Sequence, residues 1–432
     1  MADSPRLQHP PGTFDVLPPT SARWESLLAH FRETMASAGY GLVITPTFEE
    51  ISVFQRVGAS TDVVKKQMYD FEDKGGRHLA LRPEFTAQLV RTYIEHHPMT
   101  PWKIWAAGSS FRYEHAQAGR YREFHQLDIE AIGTDDPDVD VEIIALGAEF
   151  YSRIGLRDVQ LLINTLGDDN CRPQYRRLLV EYLGSHKNEL CEEHHGRYEE
   201  NPLRVLDCKK APCQKVSADA PRQIDHLCEP CRAHFARVRS GLEALGVAYS
   251  VDTSLVRGLD YYTRTTFEYV GLGLDSAQNA VGGGGRYDKL VGEMGGPPTP
   301  GIGFALGVER ILLALSAAEM STETGTLDAS RLDAFVVDFA GGDAARDITA
   351  ALRNAGLRAD RAFDSRSPKS QFKAADRSGA RVAIVVGPDE AAAGTAGVKD
   401  LRSDSEQVVL PQSELPAEIR RLVGADGLRS RV

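Results

Sequence analysis

The spacing of apolar positions divides the chain into elements before any chemistry is considered. Along TSARWESLLAHFRETMASAG (20–39), Trp24, Leu27, Leu28, Phe31 and Met35 recur at helical spacing, and Gly39 stands where that helix should stop. YGLVITPTFEE then reads as a strand, with Pro46 favouring an edge or an interface over a central ladder position. A helix is expected after Pro83. WKIWAAGSSFRYE and YREFHQLDIEAIG alternate with period two around the polar HAQAGR, the pattern of a hairpin with a long loop. A helix over 138–155 and the strand DVQLLINTLG follow. Residues 168–240 are helical, charged and cysteine-bearing, as an insertion would be. Strands resume at YSVDTSLVRGLDYYTRTTFEYVG and NAVGGGGRYDKLV, and GIGFALGVERILLALSAAE turns through glycines into a helix.

Beyond MSTETGTLDASR, which is small and polar, strand and helix patterns alternate to the end. The expected division is an α+β core over 1–325, an antiparallel sheet flanked by helices, with the helical insertion 168–240 inside it. A linker at 326–331 leads to an α/β domain over 332–432. No apolar run approaches the roughly 20 residues that cross a bilayer, and the start MADSPRLQHPPGTFDVLPP has no secretory character, so a cytoplasmic protein without membrane contact is expected. A net charge of −11 argues against non-specific DNA coating, yet leaves room for a local basic surface that contacts phosphates.

The hairpin carries the first chemical signal. In YREFHQLDIEAIG, Leu127, Ile129 and Ala131 share one face; Phe124, Gln126, Asp128 and Glu130 share the other. An isolated strand with such a face is ordinarily solvated. Upstream, Arg112 and Glu114 share a parity as well, so Arg112, Glu114, Phe124, Gln126 and Glu130 are expected to pave one floor. Arginine grips phosphate or carboxylate, an aromatic ring stacks, and carboxylates hold amines or imidazoles, which suits a nucleotide beside a small cationic ligand. Further along, Arg257 precedes Gly258, Asp260, Tyr261 and Tyr262; GGGGRYDKL permits close backbone approach; and Arg310 follows a glycine-rich strand. LRPEFT places Glu84 and Thr86 ahead of a helix. No Walker lysine motif and no dinucleotide fingerprint is present.

The six cysteines fit a reducing compartment, where clustered thiols more often bind metal than pair. Cys208 and Cys213 are spaced C-x4-C, and Cys228 and Cys231 C-x2-C, a set of four that suits one closed, structural zinc site; free thiols in a helical insertion are the alternative. Cys171 and Cys191 stand alone and read as ordinary.

Together these segments carry a resemblance. FRYE…GRYREFHQ is similar to motif 2 of the class II aminoacyl-tRNA synthetases, GIGFALGVERILLAL to motif 3, and Trp24 to Pro46 to the dimer-forming motif 1. LVRGLDYYT, GGGGRYD and LRPEFTA resemble segments peculiar to histidyl-tRNA synthetases of bacterial type, and the last hundred residues resemble a class IIa anticodon-binding domain. The resemblance implies activation of L-histidine by ATP with Mg2+, transfer to tRNA(His), and a homodimer. It implies Arg112 on the α-phosphate and the histidine carboxylate, Phe124 and Arg310 around adenine, Arg310 on the outer phosphates, and Glu114 at the base edge. Glu84, Thr86 and Gln126 would take the α-amino group, and Glu130 with Tyr261 and Tyr262 the imidazole. Arg257 would neutralise the α-phosphate where other class II enzymes use a metal ion, and Arg120 and Arg122 would meet the tRNA acceptor end. Three rivals stand beside this. A non-catalytic regulatory paralogue from histidine biosynthesis would lack the C-terminal domain and the three arginines. Synthetases for glycine, proline or threonine would lack LVRGLDYY. A nucleic-acid-binding module without catalysis would leave the floor unexplained.

Overall fold

A computed structural model describes residues 7–58, 63–114, 117, 119–257, 261–274, 279–319, 332–363 and 367–429. The expected linker 326–331 lies outside them, as do Gly258 and Asp260. The chain divides into two compact units, Met1–Leu327 and Asp328–Val432.

The first unit is built on an eight-stranded sheet. Its order is Gly41–Leu42, Trp102–Phe111, Glu123–Ile132, Gly301–Gly307, Ala280–Arg286, Thr263–Gly271, Val159–Thr165 and Ser250–Val251. The six inner strands run antiparallel to their neighbours, and only the two short edge strands pair parallel. The helix Thr20–Ser37 ends just before Gly39, whose φ of 76° suits the left-handed turn that stops a helix. It buries Leu27, Phe31 and Met35 against the sheet face that carries Leu127, Ile129 and Ala131. The helix Pro137–Arg153 starts at Asp136, whose side chain accepts from the Asp138 N–H, and buries Ile143, Ile144 and Phe150 in the same core. That core holds the helices on one side and leaves the other face free for polar groups.

YGLVITPTFEE forms two strands rather than one. Gly41–Leu42 joins the large sheet, and beyond Pro46 the segment Phe48–Glu50 joins a separate three-stranded sheet with His78–Leu81 and Asp70–Glu72. Proline cannot donate to a ladder, so the chain changes sheets there. Between Asp168 and Glu229 the helices Arg172–Ser185, Leu203–Leu206 and Ala211–Ala218 bury Tyr175, Leu179, Leu183, Val205 and Val216 in a core of their own. The helix Glu229–Ala244 instead sends Phe235, Val238 and Leu242 into the main core.

The second unit has a five-stranded sheet in the order Ala359–Arg361, Ala334–Asp338, Val382–Val386, Thr395–Asp400, Val408–Pro411, parallel in its first three strands and antiparallel in the rest. Ile348, Leu352 and Ile419 from its helices pack on Val336, Ile384 and Val398. No helix among the described residues is long and apolar enough to cross a membrane.

Candidate active site

Trp102–Phe111 and Glu123–Ile132 pair over their whole length, with Ser110 opposite Phe124, Gly108 opposite Gln126 and Ile104 opposite Glu130. Glu123–Ile132 also pairs with Gly301–Gly307, which sets Gly303 opposite Glu130. The row anticipated from parity is thereby enclosed. Gln126 is 9 % exposed and Glu130 1 %, so the face is not a solvated one.

Glu130 is the innermost group. Its two oxygens accept from the Thr86 hydroxyl at 2.7 Å and from the Tyr287 hydroxyl. Burial, reinforced by nearby Glu84, outweighs these bonds and pushes its pKa up to about 8. Glu84 is buried too; it accepts from the backbone N–H of Thr86 at 2.8 Å and of Ala87 at 2.9 Å, where the helix Thr86–His96 begins. Burial raises its pKa as well, against those bonds and Arg112. Tyr261 and Tyr262 pack with ring centroids 4.6 Å apart, and Tyr261 meets Tyr287 edge-on at 6.0 Å. Gln126 accepts from the Ser110 hydroxyl at 2.8 Å. This is a buried cluster of acids packed against tyrosines.

Beside it opens a cavity of about 200 Å³ lined by Arg112, Glu114, Arg120, Phe124, Gln126, Arg257 and Arg310, with backbone from 280–283. Arg112 lies over the Phe124 ring at 5.1 Å and donates from Nε to the Pro83 carbonyl at 3.0 Å. Arg310 donates to the carbonyls of Gly119 (3.1 Å) and Ala280 (3.0 Å). Burial lowers the pKa of both, and for Arg310 the neighbouring Arg120 and Arg112 lower it further, so the cavity concentrates positive charge. Arg257 pairs with Glu268 at 2.6 Å and lies against Gly283, where a Cβ would stand 2.5 Å from its Nη1. The glycine run thus makes room for a side chain as well as for strands.

The structure brings Arg112, Glu114, Arg120, Phe124, Gln126, Arg257 and Arg310 to one cavity, and Glu84, Thr86, Glu130, Tyr261 and Tyr262 to a buried cluster beside it. Arg122 is not on that cavity wall: it stacks on Tyr113 at 4.2 Å, and its backbone N–H donates to Gly12. Arg120 lies 3.6 Å from Glu114. His115, Ala116 and Ala118 of the hairpin loop lie outside the described residues.

Sequence reasoning missed Tyr287, Glu268 and Asp128 as members of the site. Asp128 had the right parity but no role. It is 1 % exposed, its Oδ2 has no hydrogen-bond partner among the described residues, and burial with Glu130 and Glu84 nearby holds its pKa well above the usual carboxylate range. Tyr287 and Glu268 carried no local signal, since each matters only through a partner on a strand distant in sequence.

The cysteine grouping needs correction. Cys208 and Cys213 do not join Cys228 and Cys231 in one four-thiol set. Cys208 and Cys213 meet Cys191 and His194, and Cys228 and Cys231 meet Cys171 and Asp168. Spacing within each pair is local, but which pairs meet depends on the insertion's fold, which draws in the two cysteines read as ordinary.

Comparison with known proteins agrees with this geometry. The family described as "Histidyl-tRNA synthetase" matches residues 12–311, and "Anticodon binding domain" matches 333–422. The chain is 44 % identical over 425 residues to a histidine–tRNA ligase of Halothermothrix orenii, covering 96 % of this chain and all of the relative. It is 46 % identical over 432 residues to that of Nocardia farcinica, covering 98 % and 100 %. The crystal structure of apo S. aureus histidyl-tRNA synthetase superposes with a TM-score of 0.79 at 35 % identity, over 96 % of this chain and 100 % of that one. With a class II fold, both matching segments in order and relatives alike over nearly its full length, the chain belongs to the histidyl-tRNA synthetase family.

Proposed function

We propose that the cluster of acids and tyrosines holds L-histidine and the adjoining cavity holds ATP, so that the chain makes histidyl-adenylate and transfers histidine to the 3′ end of tRNA(His). The observation that carries this is the junction of the two spaces: a buried acid, Glu130, lies on the same hairpin floor that ends in a cavity ringed by Arg112, Arg257 and Arg310. Glu130, with Tyr261 and Tyr262, reads the imidazole. Glu84, Thr86 and Gln126 hold the α-amino group, which a buried carboxylate suits. Phe124 and Arg310 flank adenine, Glu114 meets its edge, and Arg310 extends to the outer phosphates, where Mg2+ accompanies ATP.

In the first step a carboxylate oxygen of histidine attacks the α-phosphorus and pyrophosphate leaves. In the second, a terminal ribose hydroxyl of the tRNA attacks the acyl carbon and AMP leaves. Neither step needs a covalent enzyme intermediate; alignment and positive charge at phosphorus are the levers. Arg112 and Arg257 supply that charge. Arg120 and Arg122 contact the acceptor end. Zinc in the insertion plays no part in either step and is structural.

The chain acts as a homodimer. In and around the segment that resembles motif 1, Leu42, Ile44, Phe48 and Phe71 are 51, 86, 51 and 42 % exposed, a cost in water that a partner subunit removes. We place it in the cytoplasm, where its tRNA is, with no membrane or DNA partner. The test is amino-acid-dependent ATP–pyrophosphate exchange with each of the twenty amino acids. Exchange with histidine alone is expected; exchange with another amino acid overturns the pocket assignment, and none from a folded, histidine-binding protein favours the regulatory paralogue.

A further inference from the structure

All six cysteines of the chain fall into two groups of three, and each group includes one further metal-binding side chain. In one group Cys191, His194, Cys208 and Cys213 bring their ligand atoms within 4.8 Å of one another; in the other Asp168, Cys171, Cys228 and Cys231 do the same. We propose that this chain binds two structural zinc ions, one in each group, rather than the single ion that sequence spacing suggests.

The separations fit the metal. Zinc takes four ligands tetrahedrally, with Zn–S about 2.3 Å and Zn–N or Zn–O about 2.0–2.2 Å, so a sulfur and a nitrogen or oxygen on one ion stand roughly 3.5–3.6 Å apart. His194 Nδ1 is 3.3 Å from Cys191 Sγ and 3.6 Å from Cys213 Sγ. Asp168 Oδ1 is 3.5 Å from Cys228 Sγ and 3.7 Å from Cys171 Sγ. Hydrogen-bonded thiols span similar distances, so the weight rests on four ligand atoms converging in each of two groups.

Each group is also built the same way. One pair is spaced x2 across the start of a helix: Cys191 and His194 at Glu192–His195, Asp168 and Cys171 just before Arg172–Ser185. The second pair spans another helix start: Cys208 and Cys213 at Ala211–Ala218, Cys228 and Cys231 at Glu229–Ala244. A backbone N–H is directed at one sulfur in each, from Cys191 to Cys213 Sγ and from Asp168 to Cys171 Sγ, both at 3.4 Å. Such donors stabilise thiolate. All six cysteines are unpaired as disulfides. Three thiolates with one imidazole or carboxylate leave no open position, which makes these closed, non-catalytic sites. Each binding event exchanges the thiol protons for the metal, so protons are released to solvent as the ion enters.

The two sites differ in what they fasten. The histidine-containing group closes the insertion's own small core, which includes Cys191 and Cys213. The aspartate-containing group joins the two ends of the insertion, one at Asp168 after the strand Val159–Thr165 and the other at Cys228 before a helix of the main core. From there Arg172 donates to the Tyr262 carbonyl at 2.8 Å, so the second ion buttresses the wall of the histidine pocket.

The test is metal content. Full-length protein grown with zinc and freed of loose metal is expected to carry two zinc per chain by native mass spectrometry. Cobalt(II) in its place should give the ligand-field absorption of tetrahedral thiolate sites. Cys208→Ser and Cys228→Ser should each lower the count to one, and together to none. His194→Gln and Asp168→Asn, which keep every thiol, should each release one ion to a chelator that wild type resists, and so decide the matter if the serine variants fail to fold. Folded wild-type protein with no zinc and six freely titrating thiols overturns the proposal. So does a single ion that both serine variants abolish, which restores the four-cysteine grouping. Because metal is counted directly, the outcome is independent of whether histidine-dependent exchange is observed.

Discussion

Replacing Glu130 by glutamine is expected to remove a pH limb from histidine binding. Burial pushes the Glu130 pKa up to about 8, so at pH 7 the empty pocket holds it mostly neutral. Free imidazole titrates near 6.5. Between roughly pH 6.5 and 8, acid and ligand therefore already carry between them the one proton that their contact shares, and binding is pH-independent. Above about 8 the free acid is ionised, a proton has to be taken up, and affinity falls about tenfold per unit, or about 1.4 kcal/mol. Below about 6.5 a proton has to leave, and affinity falls again. Glutamine cannot ionise, so the ratio of wild-type to variant affinity should be flat up to pH 8 and fall beyond it. Calorimetry in buffers of different ionisation enthalpy measures this directly: proton uptake by wild type, less that of the variant, should rise from zero near neutrality towards one at pH 9. Equal uptake at every pH would refute the reasoning and mean that Glu130 is ionised before the ligand arrives. The same shift bears on folding. An acid whose pKa is higher folded than unfolded stabilises the fold at low pH, and that contribution is lost as pH rises from 4.5 through about 8.

Other outcomes follow from named contacts. Arg257→Ala should lower the exchange rate by about 10²–10³, because its guanidinium is assigned to the α-phosphate where the histidine carboxylate attacks. Gly283→Ala should reproduce a milder form of that loss, since the three atoms nearest the added Cβ all belong to the Arg257 guanidinium, with Nη1 at 2.5 Å. Gly303→Ala should abolish histidine binding and also cost stability, on the order of 2–3 kcal/mol by denaturant titration, because its Cβ would stand 1.7 Å from Glu130 Oε2 and 2.6 Å from the Ile129 carbonyl. Arg286→Met should cost about 3–5 kcal/mol by the same measurement: Arg286 and Asp140 are both fully buried and 2.8 Å apart, and the carboxylate would be left unpaired. Adding Asp140→Leu should recover most of that loss.

Much of the floor was legible because strand parity is a local property. Leu127, Ile129 and Ala131 lie in the main core, and Gln126, Asp128 and Glu130 are buried on the opposite side. What parity cannot supply is the depth of the pocket. Glu130 was readable as a polar residue on a face, but its raised pKa comes from burial and from Glu84, against the hydrogen bonds of Thr86 and Tyr287, and these groups reach it from two other segments. The cysteines show the same limit. Their x2 and x4 spacings point to helix starts, yet nothing local tells Cys208 to meet Cys191 instead of Cys228. Strands such as Asp70–Glu72 and His78–Leu81 were hidden for another reason: at three and four residues, they are too short for alternation to register.

The two glycine strands explain why so large a set of charged side chains fits on one sheet. A floor of arginines and acids requires its neighbouring strands to give up volume, and here they do so at the register positions that matter. Gly303 stands opposite Glu130 and lets the carboxylate lie in the sheet's surface, where Tyr287 and Thr86 can reach it. Gly283 stands opposite Glu268, the partner of Arg257, and lets that arginine rest against the backbone with its end on the cavity wall. In the proposed assignment, selectivity and charge neutralisation therefore each depend on a side chain that is absent. The two absences differ in kind: at Gly283 the space is bounded by a flexible guanidinium, and at Gly303 by a buried carboxylate and a strand carbonyl. The arginine end of the site can be adjusted by side-chain movement, whereas the acid end is held by backbone, which suits the proposed role of Glu130 in choosing the amino acid.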